Sequence, residues 1–459
     1  MAPIRMWEIL KRAETGQFIE EKDFLMKHFI PTMRKVIKKY EIKYNPQIPV
    51  TSDDDLADRV WQAALEFFLE VGIYHQDTHR IIKFSEEEIK EALFATPPEY
   101  MVGEGADIRR FGSRKIEDSI PPFMLFSPDI TYDEHDHLRA CIAFLKEPLL
   151  DGLCAPILDQ FMGRKIKSPT PSELGGATTH AMNLREAARL VGRPGVWFVA
   201  VGTAESDMAQ IAVSDDMWGV RHTDGRLVGA ITEFMTNSSM LNKATHYQMN
   251  GNIAGCLPGA IYGGYAGGAE GTAVLEVAYH LMGLMVYFAQ FIQNFPFHLR
   301  YGSNTGREML WITSIYSQAV ARNTHLVQTS NGFANAGPGT EMLFYETAAH
   351  AIASTVCGAN LWEIAPARNK IHNYGTPLEC RFAAEVGHSV TKMNMTREKA
   401  NEIVNKLLNK YEDNIPTAPE GKPFQQLYDM KELIPTQEYL NQYYKIKEDV
   451  AKMGIDFIY

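Results

Sequence analysis

The sequence predicts an α/β protein built as a (β/α)8 barrel of the TIM type. A helical segment occupies residues 1–97, the barrel core 98–395 and a helical extension 396–459. Three observations support this reading. From about residue 98, short apolar runs bounded by Gly, Pro or Asn alternate with longer helical patterns. The runs are apolar throughout rather than at every second position, as expected of parallel strands buried beneath helices. Six to eight such units fit within residues 98–395, which suits a closed barrel better than an open doubly wound sheet. No Gly-x-Gly-x-x-Gly follows an early strand, so a dinucleotide-binding sheet lacks its fingerprint.

The elements follow in order. "SDDDLADRVWQAALEFFLEVGI" has helical spacing, with Ser52 as its cap and Gly72 as its stop. "SEEEIKEALFA" opens with a capping box of Ser85 and Glu88. The strand candidates are "YMVG", "PFMLFS", "GVWFVAVG", "GAIYGG", "FHLRYG", "THLVQTS" and "LWEIAP". Between them run the helical patterns "NLREAARLVG", Thr272–Asn294, "TGREMLWITSIYSQAVARN" and "TEMLFYETAAHAIASTVCG". The Thr272–Asn294 segment is the most apolar long stretch, yet it carries Glu276, His280 and Gln290. It therefore reads as a helix buried in a large fold rather than a membrane span. Polar helices return in "GKPFQQLYDMKELIPTQEYLNQYYKIKEDV".

Composition narrows the function. A net charge of -11 without a basic tract argues against nucleic acid as a partner. Five scattered cysteines without a Cys-x-x-Cys pair provide neither a zinc ribbon nor a disulfide framework, and fit a reducing cytoplasm. The first residues lack the apolar core of a signal peptide, so the expected location is cytoplasmic, with no membrane partner.

In a barrel, function collects at the C-terminal ends of the strands. There the sequence offers "GGYAGGAEG", with Gly263, Gly264, Gly267 and Gly268. Such glycines either let a flat, bulky group approach the backbone or serve a tight turn. After "FHLRYG" come His298, Arg300, Ser303, Arg307 and Glu308; the arginines clamp an anion or pair with a neighbouring carboxylate. Glu341 follows the next strand and opens a helix, where capping explains it equally well. His75 with His79, and His222 with Asp224, lack a third ligand at a recognisable spacing, and His-Glu-x-x-His is absent. No metal site is expected. No Gly-x-Ser-x-Gly elbow marks a serine hydrolase.

The blocks "EVGIYHQDTHRIIKFSEEEI", "GRPG", "GGYAGGAE", "HLRYGSNTGRE", "AGPGTEM" and "APEGKPFQQLYDMKELIPTQEY" lie in the same order and at similar spacing in the monomethylamine methyltransferases of methanogens, which the chain resembles from about residue 50 onward. The resemblance implies a homo-oligomer, a hexamer, that moves a methyl group from a methylamine to the cobalt of a separate corrinoid protein. No cofactor is tightly bound; the corrinoid arrives on its carrier. Family members carry pyrrolysine before a Gly-x-x-x-Ser turn. Here that turn is "GTAES", which puts Val201 in the pyrrolysine position. The two glutamates and the glutamine around pyrrolysine fall, in the same register, on Leu227, Leu257 and Asn331.

A valine offers no electrophile, and without the carboxylates a cationic amine loses its counter-ion. The resemblance thus implies methyl transfer without pyrrolysine, from a methylated or quaternary amine, or a methyl ether or thioether. Trp197, Phe198, Trp218, Tyr262 and Tyr265 are candidate walls of the substrate site, or simply barrel core. Glu205, His246, Glu270, His298 and Glu341 are candidate acids and positioners. The four glycines with Arg300, Ser303 and Arg307 form the expected corrinoid approach. Two alternatives stand beside this: a non-catalytic paralogue that binds a corrinoid protein, and a metal-assisted demethylase using His222, Asp224 or His246.

Overall fold

The computed structural model describes residues 2–459. Eight parallel strands succeed one another around a ring in chain order: β1 (Met124–Phe126), β2 (Gly152–Leu153), β3 (Trp197–Phe198), β4 (Gly225–Gly229), β5 (Ile253–Leu257), β6 (Phe291–Asn294), β7 (Val327–Phe333) and β8 (Asn360–Ala365). β8 returns to β1 through the pairs Leu361↔Met124, Trp362↔Leu125 and Glu363↔Phe126. β3 meets β4 through one parallel bridge, Val199↔Gly225, joined by the Ala200 N–H donating to the Gly225 carbonyl at 3.2 Å. The ring is closed.

The lower interior is filled by aromatic rings, and glycines make the room. A Cβ on Gly225 would stand 2.6 Å from the Trp197 ring, and one on Gly255 would stand 2.4 Å from Phe291. A hairpin of Glu99–Val102 and Arg109–Gly112 plugs the N-terminal end. Its Phe111 ring lies 5.4 Å from Trp197 and 5.3 Å from Phe291. With that end sealed by packed apolar rings, open space remains only at the C-terminal mouth.

The N-terminal helix Asp54–Val71 packs on the barrel helix Ala269–Val286, whose residues are buried on nearly every face. This double cover explains why that stretch is apolar all round. Its Glu276 accepts the Ala260 N–H at 2.8 Å. The helix Asp54–Val71 is capped by Asp53, which accepts from the Leu56 N–H at 2.9 Å, one residue beyond the expected Ser52. Gly72, at φ 69°, stops it, and the capping box of Ser85 and Glu88 is formed. Residues 17–82 also supply three short strands, which join Met235–Thr236 in a side sheet. The extension contributes Arg397–Tyr411 and Gln437–Met453, both packed on Glu341–Val356.

Several expected strands move. "YMVG" belongs to the plugging hairpin. "GAIYGG" and "FHLRYG" supply Ile261–Tyr262 and Phe297–His298, which pair in parallel above the barrel. The barrel strands proper are Ile253–Leu257 and Phe291–Asn294; the latter lies inside the stretch read as helix, which ends at Val286 before Phe288 turns to φ 53°. All five cysteines are buried and unpaired. No described helix is long and apolar enough to cross a membrane.

Candidate active site

A cavity of about 310 Å³ opens at the C-terminal mouth of the ring. It has two chemically distinct halves. On the side of β6, β7, β8 and β1, the walls are Phe295, Phe333 and Trp362, and Asp129 stands among them. The rings of Phe295 and Phe333 are 5.7 Å apart. Asp129 lies three residues past β1 at φ 45°. Its Oδ1 accepts from Ser127 Oγ at 2.7 Å and its Oδ2 from Asn331 Nδ2 at 2.9 Å. Both donors are neutral. Burial pushes the carboxyl above the usual carboxylate range, although both hydrogen bonds oppose the shift.

The opposite half is built by β3 and β4 and the segments that follow them. Leu227 lies at the middle of β4 and Gly229 ends it, and Leu257 ends β5. Lys243, on the helix Ser238–Met249, reaches the same cavity while only 7% exposed. Its Nζ donates to the Glu205 carbonyl oxygen. Burial lowers its pKa, with Asp207, Glu173 and Glu205 pulling the other way. The Glu205 side chain itself is exposed at the mouth.

Val201, Leu227, Leu257 and Asn331 all border this cavity. The Val201 side chain, however, is fully buried in an outer cluster with Ala177, Ala181, Ala209 and Val213. Ala200, held at φ 61°, is the residue that packs with the inner cluster beside Leu227. Trp197, Phe198 and Val199 alternate in, out and in; the positive φ keeps Ala200 on the inner side with Val199, and Val201 turns outward. The floor is not wholly apolar, because Asp129 bonds to Asn331 there.

Other expectations fall elsewhere. Trp197 is barrel core beneath the cavity, and Phe198 packs in the helical layer under the Arg185 guanidinium, 4.9 Å from its ring. Tyr265 is 49% exposed and borders no part of the cavity. The Tyr262 ring lies 4.9 Å from that of His298, tilted by 41°, above the barrel. His298 lies in a separate polar cleft with Tyr301, Arg307 and Glu412, where burial lowers its pKa. His246 lies outside the ring, its Nε2 2.7 Å from Ser214 Oγ. Glu270 accepts the Tyr44 N–H at 3.0 Å, and Glu341 pairs with Lys445 of the extension.

At the expected corrinoid approach, Arg307 pairs with Glu412 at 2.7 Å and also bonds Asn405 and the Pro46 carbonyl. Its role is to tie segments together. Ser303 donates to Asn335 at 2.8 Å and is buried. Gly263 and Gly267 adopt φ 87° and 90°, and Gly263 N–H donates to the Gly267 carbonyl, so the tight turn accounts for both. Gly264 and Gly268 share that loop, and Arg300 is exposed beside it. The proposed metal ligands do not converge. Asp224 is held by Arg185 and Arg221, and His222 pairs at the surface with Asp216.

Asp129 and Lys243 were missed. Asp129 had a signal, since a carboxylate just past "PFMLFS" sits at a strand's C-terminal end. Lys243 had none; it lies mid-helix, and only the closed ring brings it to the cavity.

A closed (β/α)8 barrel with a polar chamber at the C-terminal ends of its strands defines a barrel enzyme working at its mouth. The profile of the family described as "Monomethylamine methyltransferase MtmB" matches residues 4–455. The chain belongs to the monomethylamine methyltransferase family. It is 29% identical to monomethylamine methyltransferase MtmB2 of Methanosarcina acetivorans and to MtmB of Methanosarcina mazei, each over 98% of both chains. The crystal structure of the Methanosarcina barkeri monomethylamine methyltransferase superposes with a TM-score of 0.95 at 27% identity, covering 98% of both chains. A structure of the hydroxylamine MtmB complex matches equally well.

Proposed function

We propose that this protein transfers a methyl group from a small methylated ammonium compound to the Co(I) corrinoid of a carrier protein, without pyrrolysine. The observation that carries the reading is Asp129, a carboxyl set among Phe295, Phe333 and Trp362 at the mouth of a barrel of this family. The two glutamates expected at Leu227 and Leu257 are gone, and a carboxyl reaches the same chamber from the loop after β1. Ionised, it is the counter-ion a methylated ammonium needs on leaving water; the aromatic faces attract the same charge.

The rim suits a flat, bulky group on a partner: Gly267 and Gly268 are exposed, Leu299 is 62% exposed, and Arg300 stands beside them. The corrinoid, when docked there by its carrier, supplies the nucleophile for the methyl carbon. The chain's own residues do the rest. Asp129 fixes the nitrogen, the rings exclude water around the methyl groups, and Asn331 holds the carboxyl in place. As the C–N bond breaks, its electron pair stays on nitrogen and the amine leaves neutral, so an ammonium donor needs no acid. Assembly into a homo-oligomer is part of the proposal, and the face bearing Trp7, Ile211 and Met249 offers apolar surface for it.

The test mixes purified protein, a carrier with Co(I) corrinoid, and secondary, tertiary and quaternary methylamines. Loss of the Co(I) absorbance with at least one donor, dependent on Asp129, is the expected result. Carrier binding with no methyl transfer from any donor would return the protein to the non-catalytic reading.

A further inference from the structure

The chamber is bipolar. Asp129 and the three aromatic walls occupy the side of β6, β7, β8 and β1, whereas Lys243 enters from the helix after β4 and is anchored to the loop after β3. In a ring that runs in chain order, β1 and β4 are separated by two strands one way and four the other, so the two charges face each other across the mouth. Lys243 is nearly buried, and the hydrogen bond its ammonium makes is to the carbonyl oxygen of Glu205, a neutral acceptor. An ammonium carries three protons, and a buried one is costly when its partners are neutral. Asp207 is engaged by Asn242, and Glu173 by the backbone of Glu205 and Ser206. The Glu205 side chain is exposed, and the hydrogen bond of Lys243 goes to a backbone carbonyl rather than to any of these three carboxylates.

A plain methylamine has nothing to offer Lys243. A donor that carries its own anion does. Building on the proposed methyl-transfer reading, we infer that the methyl donor is zwitterionic: an N-methylated amino acid whose ammonium sits against Asp129, Phe295, Phe333 and Trp362 and whose carboxylate pairs with Lys243. The carboxylate supplies the missing acceptors, and its negative charge replaces the hydration that burial removes from the amine. Of the described residues lining the chamber, Lys243 is the one cation, and the Glu205 side chain is exposed at the rim. Gln210, beside Lys243, already spends its Nε2 on the Ala204 carbonyl at 2.6 Å and its Oε1 on Arg226 at 3.0 Å, which leaves Lys243 as the group to meet the anion.

The test is direct binding by calorimetry to the full-length protein, so it does not depend on turnover. The probes are N,N-dimethylglycine and N,N,N-trimethylglycine, each against its carboxamide, which keeps the methylated nitrogen and removes the negative charge. The expected result is a preference of about tenfold or more for the carboxylate in the native protein. That ratio collapses toward one in Lys243→Gln, which keeps a hydrogen-bond donor, and recovers in Lys243→Arg, which keeps the charge. A circular-dichroism melt of each variant shows whether the fold survives, and Lys243→Met, which removes the charge at similar length, carries the test if Lys243→Gln does not fold. Equal binding of carboxylate and carboxamide to the native protein overturns the inference, as does an undiminished preference in folded Lys243→Gln. Tight, Lys243-dependent binding without methyl transfer refutes the methyl-transfer reading alone. Methyl transfer from plain amines with no carboxylate preference refutes the zwitterion alone.

Discussion

Asp129→Asn is the most informative substitution. It removes one negative charge from a chamber lined by Phe295, Phe333 and Trp362, and changes shape hardly at all. Losing one member of a desolvated charge pair costs about 2–5 kcal/mol of binding. The chamber opens to solvent at its mouth, which puts the effect at the low end, about thirty- to a hundred-fold in Kd. Tetramethylammonium is the right probe, because its charge is independent of pH and it ignores Lys243. The fold should tolerate the change. Asn331 Oδ1 is buried without a partner, so rotation of that amide presents an acceptor to the new Asn nitrogen.

The sign for stability is also fixed. The folded protein raises the Asp129 pKa, so it favours the protonated form; the cost of ionisation begins above the ordinary carboxyl pKa and grows until the raised folded value is passed. At neutral pH the amide should therefore melt no lower than the native protein. In the native protein, affinity for tetramethylammonium rises with pH through the raised Asp129 pKa, and the variant shows no such limb. Equal affinity in native protein and folded variant, or an identical pH profile in both, refutes the role given to Asp129.

Other substitutions separate structure from site. Arg307→Ala should lower the melting temperature by an amount equivalent to about 1–3 kcal/mol, through loss of Glu412 and Asn405, and leave tetramethylammonium affinity intact; weaker probe binding would return Arg307 to the site. Phe333→Leu should weaken binding of the same cation by about 0.5–2 kcal/mol, read by calorimetry, because one aromatic face is lost. Glu363→Leu leaves His350, its fully buried hydrogen-bond partner on the helix Glu341–Val356, without that partner and should cost about 1–3 kcal/mol in denaturant unfolding; a cost near zero would mean the pair is not formed.

The fold was legible where a strand is apolar on both faces. "PFMLFS", "GVWFVAVG", "THLVQTS" and "LWEIAP" each overlap a barrel strand. It was illegible where the interior demands glycine. β2 and β4 begin at Gly152 and Gly225, and β5 contains Gly255, because a neighbouring side chain fills the space a Cβ would need. Those strands lose the apolar signature in serving the core. The site was half legible for a similar reason. Leu227, Leu257 and Asn331 reach the chamber from strands whose ends mark it, whereas His246, suggested by spacing, and Glu270 and Glu341, suggested by the family blocks, are held by partners outside it.

The seam between β3 and β4 has a consequence for how the chamber behaves. From β6 to β8, ladders of four residue pairs lock neighbours together; at Val199 and Gly225 one bridge does so. Thermal breathing concentrates at such a weak joint, and amide protons there should exchange with solvent sooner than those of β7 and β8. The wall carrying Phe295, Phe333 and Trp362 is consequently a stiff die, and the joint beside the Glu205 loop that anchors Lys243 an adjustable jaw. Molecules that differ in reach at their far end can be gripped, while the end that surrenders a methyl group is held to one shape.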